Sequence, residues 1–293
     1  MMNYELFKKV IAERIKEFLP PGFMNYRVEI STVRKINQEK DTLIVRPENT
    51  GDIAAMPNIY LDEMYSLFQE CEDLDRVLCK IAAMIIHYTA RFSTEELDLD
   101  LSKRKDSIIM NLVNTQRNKE LLKTVPHREV MDLSIIYRII MGKQEQGMAT
   151  VLVNNTIMEE LGMDQEELDR LAYVNTGRMF PVEILKMSDM LYIMTNESKL
   201  HGATTMMYQE AVEVLADKIG GDFYLIPSSI HEVMAVPKEK GNLKSLIRLL
   251  EEGNRVCTQD FEILSNSIYQ YDRSKGTFRL AASYYPQDER KGA

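Results

Sequence analysis

The sequence predicts an α+β protein whose mostly antiparallel sheet has helices packed on one side. Apolar runs with a period of two residues follow one another and are joined by short polar turns, which is typical of antiparallel pairing. Helical apolar stripes lie between these strand pairs, and we find no internal repeat. An apolar fraction of 45% and a charged fraction of 28% are ordinary for a globular protein.

The first hundred residues predict a helix, a β-hairpin and a second helix. The predicted elements are a helix over 3–18, strands over 26–30 and 43–45 around a polar turn at 37–41, and a helix over 74–88. Pro20, Pro21 and Gly22 end the first helix.

The second half of the chain predicts strands interspersed with helices. The predicted strands cover 108–113, 131–141, 148–153, 190–195, 223–226, 233–236, 268–271 and 277–280, and predicted helices begin near 164, 208 and 243. Asp164 and Glu167 form a capping-box-like helix start, and Gly142 is expected to end a strand.

A charged stretch over 93–107 predicts a domain boundary. We therefore expect residues 1–105 to hold the N-terminal helix, the hairpin and a helical segment. Residues 106–285 are expected to form the α+β main domain, and residues 286–293 a flexible tail.

Charge and composition limit the classes of partner. The chain has 36 basic and 45 acidic residues, a net charge of −9, which disfavours binding to nucleic acid or to an anionic membrane surface. The most apolar run, 81–86, is far shorter than the roughly 20 residues that span a bilayer. A protein partner is compatible with this composition, and the oligomeric state is left open.

The start of the chain and the cysteines predict a cytoplasmic protein. Residues 1–5 contain no basic leader followed by an apolar core, so a secretory signal is not expected. Cys71, Cys79 and Cys257 are odd in number and form no CxxC pair, which is typical of reduced thiols.

No pattern in the sequence predicts a metal or a cofactor. Cys71, Cys79 and His87 are spaced by eight residues, which corresponds to about 12 Å along a helix, too far for one ion. Gly142-Lys143 and Gly220-Gly221 match neither a P-loop nor GxGxxG.

The segment 228–232 carries the sharpest candidate chemistry. Ser229, His231 and Glu232 are the residue types of a nucleophile, its base and the carboxylate that orients the base. In an extended chain, His231 and Glu232 point to opposite faces, and no G-x-S-x-G elbow surrounds the serine. A polar turn with hydroxyl caps is therefore the favoured interpretation.

The neighbouring residues in the sequence suggest a position for each of the other histidines. His127 follows Pro126 and approaches His231 if two strand openings lie side by side. The candidate catalytic residues are accordingly His127, Ser229, His231 and Glu232. His87 is expected to pack at a helix end, and His201, just before a helix start, is expected to face solvent.

Several pieces of the chain resemble an uncharacterised bacterial family of domains of unknown function, DUF5688. The pieces are Asn58-Ile59-Tyr60-Leu61, Leu112-Val113-Asn114-Thr115, Asn118-Lys119-Glu120-Leu121-Leu122, Val125-Pro126-His127-Arg128-Glu129, Met194-Thr195-Asn196 and Ile226-Pro227-Ser228-Ser229-Ile230-His231-Glu232-Val233. The second half is also distantly similar to the DUF1444 family. This resemblance implies a bacterial cytosolic protein and transfers no mechanism.

Two functions are expected from these observations. The first is a non-catalytic accessory or protein-interaction protein, because no complete catalytic, metal or phosphate motif is found. The alternative is a small hydrolase or small-ligand-binding protein with a Ser/His/Glu cluster at strand ends. The alternative requires the chain to reverse between Ile226 and Met234 and to place His231 beside the segment 126–129.

Overall fold

The computed structural model describes residues 2–48, 59–91, 100–144 and 147–284, and its class is α+β, as predicted. The chain forms two compact units, residues 1–35 with 39–99 and residues 36–38 with 100–293. The sequence predicted domains over 1–105 and 106–285. These bounds stay a prediction. The predicted tail 286–293 lies outside the described residues.

The first unit combines three helices with a three-stranded sheet. Its elements are α1 (Tyr4–Arg14), β1 (Tyr26–Lys35), β2 (Gln38–Pro47), β3 (Ile59–Tyr60), α2 (Leu61–Cys71) and α3 (Leu74–Arg91). The strand order is β1-β2-β3. The polar turn that was predicted at 37–41 is tighter, because Asn37 adopts a left-handed φ of 62° that asparagine tolerates, and β2 begins directly after it.

The core of the first unit lies between its helices and its sheet. Phe7 and Ile11 of α1 pack with Leu43 of β2 and with Val77 and Ile81 of α3, and all five side chains are fully buried. The three- and four-residue spacing in each helix therefore marks the face that meets the core.

The second unit contains the remaining elements. They are β4 (Ile108–Asn114), α4 (Lys119–Leu122), β5 (His127–Val130), β6 (Leu133–Gln144), β7 (Gly147–Leu152), α5 (Asn155–Glu160), α6 (Gln165–Met179), β8 (Val182–Lys186), β9 (Tyr192–Asn196), α7 (Gln209–Ile219), β10 (Phe223–Ile226), β11 (Val233–Pro237), α8 (Leu243–Val256), β12 (Ser267–Asp272) and β13 (Thr277–Ser283). A 3₁₀ helix, Gly202–Met207, precedes α7.

The strands of the second unit form two antiparallel sheets. One has six strands in the order β13-β12-β10-β11-β9-β8. In the other, the long strand β6 pairs with β4, β5 and β7. The sequence predicted the antiparallel pairing but not the division into separate sheets, because strand periodicity carries no information on which strands pair over long distances.

Helices lie against both faces of the six-stranded sheet. Phe223 and Leu225 of β10 face the main core with α7, whereas Ile226 of β10 packs with Leu250 of α8 on the opposite face. The sequence predicted helices on one side. β10 and β11 are continuous apolar runs, and a strand that is apolar on both faces needs cover on both.

Local signals predict some element ends and miss others. Asp164 caps α6 by accepting a hydrogen bond of 2.8 Å from the Glu167 backbone N–H, as predicted. The strand predicted at 131–141 begins later, at Leu133, because Met131 has a left-handed φ of 59°. It also continues past Gly142, through its pairing with β7.

A partly buried carboxylate joins the turn before β6 to β12. Asp132 accepts hydrogen bonds from the hydroxyls of Ser265 at 2.8 Å, Ser267 at 2.9 Å and Tyr269. Tyr269 is completely buried, and burial together with the Asp132 charge raises the pKa of its phenol. This carboxylate therefore connects the two sheets of the second unit.

Removing the carboxylate in Asp132→Ala is expected to lower the free energy of unfolding by about 3 kcal/mol, because three hydroxyls lose their acceptor. Urea unfolding measures this loss. Asp260→Ala is the matched control, since that carboxylate is 91% exposed and its loss is expected to change stability by less than about 0.5 kcal/mol. Equal effects of the two variants would contradict the connecting role of Asp132.

Candidate functional site

The turn between β10 and β11 positions His231. Ile226 pairs with Met234, so the chain reverses direction here as the sequence predicted. The Ile230 backbone N–H donates to the Glu262 carbonyl at 3.0 Å, and the Ile230 carbonyl accepts from Ala203 N–H at 3.2 Å. The turn is therefore held from both sides by backbone hydrogen bonds.

The imidazole of His231 is fixed at both nitrogens. Its Nδ1 accepts from the His201 backbone N–H at 3.4 Å, and its Nε2 lies 3.3 Å from Glu262 Oε1. Because Nδ1 accepts, the ring proton is on Nε2 and is donated to Glu262. The carboxylate that orients His231 is thus Glu262, while Glu232 is exposed.

Ser229 is not arranged as a nucleophile for His231. Its Oγ accepts a hydrogen bond of 3.1 Å from the His231 backbone N–H, and both ring nitrogens of His231 face other groups. A serine nucleophile requires a hydrogen bond from its hydroxyl to the base. The structure therefore brings Ser229 and His231 together as a polar turn, without the serine–imidazole bond.

His127 lies on β5 and does not meet His231. Its Nδ1 is 3.0 Å from the Val125 carbonyl oxygen, and its strand partner is Ile136. In the part of the chain that the structure describes, the ring next to His231 is that of His201, with centroids 5.8 Å apart. β5 pairs with β6 rather than with the hairpin, and the expectation that His231 lies beside the segment 126–129 stays a prediction.

His201 is partly buried, where the sequence predicted a solvent-facing residue. It precedes the 3₁₀ helix with a left-handed φ of 53°, and its Nδ1 is buried without a hydrogen-bond partner among the described residues. Burial lowers the pKa of His201 to about 4, and the charge of Arg138 contributes to this lowering. The ring is therefore neutral near pH 7.

Gly202 makes the burial of His201 possible. A Cβ at this position would lie 2.1 Å from Thr195 Oγ1 and 2.4 Å from the His231 carbonyl oxygen. Only glycine therefore allows the 3₁₀ helix to begin this close to β9 and to the β10–β11 turn. The glycine after a histidine at a helix start was the one signal in the sequence that pointed to this close approach.

A small cavity with a mixed apolar and polar lining lies beside His201. It offers about 10 Å³ to the centre of a water-sized molecule, which corresponds to about one bound water or one small group. The lining residues include Ile109, Asn111, Phe180, Asn196, His201 and Thr204. Asn111 is 1% exposed, and neither its Oδ1 nor its Nδ2 has a hydrogen-bond partner.

Arg138 approaches the same region from β6. It pairs directly with Ile109 of β4, and residues that pair directly in an antiparallel sheet share a face, so its side chain lies on the face that carries Asn111. Its Nε donates to Thr150 Oγ1 at 2.7 Å. Burial lowers the pKa of Arg138, and no carboxylate of the described residues forms an ion pair with it.

A larger groove of about 760 Å³ lies at the end of α7. Three of its four lysines already have partners: Lys186 pairs with Asp189 at 2.7 Å, Lys238 pairs with Asp222 at 3.2 Å, and Lys240 donates to a carbonyl. The small cavity is the stronger candidate site, because three buried polar atoms of its lining residues have no partner among the described residues.

The described residues contain no group of three or more metal-ligating side chains, and Cys71, Cys79 and Cys257 are free thiols. None of the described helices combines the length and apolar character that crossing a membrane requires.

Fold and site together define an α+β protein with antiparallel sheets and, in its second unit, a small cavity lined by unpartnered atoms of Asn111 and His201. The chain matches the model of the Family of unknown function (DUF5688) over residues 4–191 and 188–273 and belongs to that family. The resemblance inferred from the sequence is thus confirmed, whereas the similarity to DUF1444 stays a prediction. Searches of curated proteins and of solved structures found no significant match.

The variant Gly202→Ala is expected to lower the free energy of unfolding by about 2 kcal/mol or more, because the added methyl group displaces Thr195 and the His231 carbonyl. Urea unfolding measures the change. Gly221→Ala is the matched control, since a Cβ there meets no atom within 4 Å. The close approach at Gly202 is disproved if both alanine variants are equally stable.

The neutral, buried His201 makes stability depend on pH. Its folded-state pKa of about 4 is below the unfolded value of 6.5, so the unfolded chain takes up the proton first. Stability is full above pH 6.5, and about 3 kcal/mol of it is expected to be lost as the pH falls to about 4.

The comparison with His201→Asn tests this dependence, because asparagine tolerates the left-handed backbone and does not titrate. We expect urea unfolding at a series of pH values to give a flatter profile for His201→Asn. His87→Gln, at an exposed position of α3, is expected to keep the wild-type slope. Identical profiles for wild type and His201→Asn would refute the burial of this ring.

Proposed function

We propose that the protein is a non-catalytic accessory protein that binds one small polar group of a ligand between Asn111 and His201. One observation carries this proposal: three buried polar atoms, Asn111 Oδ1, Asn111 Nδ2 and His201 Nδ1, have no partner among the described residues and belong to residues that line one cavity. A buried polar group without a partner costs about 1–3 kcal/mol. A ligand that supplies the partners therefore gains affinity from atoms that the fold leaves unsatisfied.

The size and chemistry of the cavity limit the ligand. Typical pockets for drug-sized ligands have about 300–1,000 Å³, far more than this cavity offers. The Asn111 amide provides one acceptor and two donor hydrogens, and His201 Nδ1 provides one further polar atom. A single hydroxyl, amino or carbonyl group fits this volume and can bond to these atoms, whether it is a free small molecule or the end of a longer one.

The arrangement supports binding better than hydrolysis. Ser229 accepts from a backbone N–H instead of donating to an imidazole, and the proton on His231 Nε2 is directed to Glu262. The hydrolase alternative therefore lacks an activated nucleophile in this geometry. A protein-interaction role without any ligand remains the competing function, and it predicts no response of the cavity residues to small molecules.

We further propose that the protein acts in the bacterial cytoplasm, without binding nucleic acid. The three free cysteines support a reducing compartment. The net charge of −9 supports the absence of nucleic-acid binding, and the family resemblance supports the bacterial source.

The variant Asn111→Leu tests whether the Asn111 amide serves ligand binding or stabilises the fold. Leucine has a similar volume and removes both unpartnered polar atoms, so we expect the unliganded variant to be as stable as wild type or about 1 kcal/mol more stable in urea unfolding.

The control for this experiment is Asn114→Leu on the same strand. The Asn114 side chain donates to the Leu264 carbonyl at 3.0 Å and accepts from Arg117 N–H at 2.9 Å. Its replacement is expected to cost about 1–3 kcal/mol. If Asn111→Leu loses as much stability as Asn114→Leu, the amide at 111 is structural and the proposed binding function is wrong.

A further inference from the structure

The lining of the small cavity reaches the surface on one side. Leu200 is 39% exposed, and Met148 and His201 are partly exposed, whereas the other lining residues are at most 7% exposed. The partly exposed residues mark the mouth, the place where the cavity meets solvent. A molecule that reaches the buried amide of Asn111 therefore passes the side chains of Leu200 and Met148, which are both apolar.

The segment that carries Leu200 is fastened by Asn196, which also lines the cavity. Asn196 Nδ2 donates to the Leu200 carbonyl at 2.9 Å, and its Oδ1 accepts from Ser198 Oγ at 2.8 Å. Lys199 and His201, on either side of Leu200, have left-handed φ values of 55° and 53°. Residues other than glycine are strained in this conformation, and such strain is concentrated at ligand clamps and switch regions. The segment 199–201 is therefore held at the mouth by a side chain of the cavity itself.

Carbon atoms line the way from the mouth to the amide of Asn111. Met148 packs against Ile109 and Phe180, which are buried and also line the cavity. Together with Leu200, they give the cavity an apolar side. A chain of CH₂ groups gains free energy when it leaves water for such a surface, whereas a polar chain loses its hydration there. The part of the ligand in the mouth is therefore expected to be apolar.

The polar part of the ligand is small and neutral. The cavity has room for about one water, and none of its described lining residues is an aspartate, glutamate, lysine or arginine. A charged group would therefore be buried without a counter-charge, which costs more than burying a neutral group. A hydroxyl oxygen can accept from Asn111 Nδ2 and donate to His201 Nδ1, whereas a carbonyl oxygen can only accept. An aliphatic amine is protonated near pH 7.

From these features we propose that the ligand is a neutral alcohol: its hydroxyl occupies the cavity between Asn111 and His201, and its apolar carbon chain lies in the mouth against Leu200 and Met148. The one-water volume limits only the hydroxyl, because the chain stays outside the cavity. The inference rests on the proposed binding function and adds the chemical class of the ligand and its direction of entry.

The probes are 1-butanol and diethyl ether, because they are isomers and only butanol has a hydroxyl. Each is titrated into the full chain and followed by the NMR resonances of the Asn111 amide, the His201 ring and the methyl groups of Leu200 and Met148. We expect butanol to shift all of these resonances in a saturable way. Diethyl ether is expected to bind at least tenfold more weakly, because it cannot donate a hydrogen bond.

Chain length and the variant Leu200→Asn test where the carbon chain lies. We expect the affinity of the wild-type protein to rise about tenfold from methanol to 1-butanol, because each added CH₂ group leaves water. In Leu200→Asn this rise is expected to be less than threefold, with methanol binding unchanged. Leu249→Asn is the matched control, since Leu249 is 60% exposed on α8 and does not line the cavity, and it is expected to keep the wild-type rise.

The outcomes separate this inference from the proposed function. Acetone and butylamine complete the set of probes, since they offer a carbonyl and an amino group. If diethyl ether, acetone or butylamine shifts the His201 resonances as strongly as 1-butanol does, and Asn111→Leu abolishes the shift, the binding function stands and the alcohol assignment is overturned. An unchanged rise with chain length in Leu200→Asn would overturn the assigned mouth. No response of the Asn111 and His201 resonances to any of these probes would reject both proposals.

Discussion

The close approach of the backbone at Gly202 determines the candidate site. Thr195 and the His231 carbonyl occupy the space in which any other residue would have its Cβ. Because of this contact, the 3₁₀ helix starts directly against β9 and the β10–β11 turn, and the His201 ring lies next to the ring of His231. The left-handed backbone and the burial of His201 are consequences of the same contact.

The cavity is lined by buried polar atoms that have no partner among the described residues. Protein interiors normally provide partners for buried amides and imidazoles. Asn111 and His201 depart from this rule, whereas the Asp132 carboxylate of the same unit accepts hydrogen bonds from three hydroxyls. Unsatisfied atoms of this kind lower stability, and they are expected at sites where a ligand provides the missing hydrogen bonds.

Local patterns in the sequence predict the class and much of the local structure. Alternating apolar residues and a polar turn predict the hairpin at 223–236, and Asp164 predicts the start of α6. The family signature at 226–233 drew attention to His231, whose role stays a prediction. The sequence offered Glu232 as the carboxylate that orients this ring, whereas the structure places Glu262 beside it, because Glu262 is distant in sequence and only long-range pairing brings it near. His201 was missed because one polar residue before a glycine has no periodicity that predicts its burial.

The most direct measurement is a crystal structure of the full chain at a resolution that defines single waters and small bound groups. The binding site predicts density for one such group within hydrogen-bond distance of both Asn111 and His201 Nδ1. A structure in which the Asn111 amide instead bonds to other groups of the protein would contradict the site.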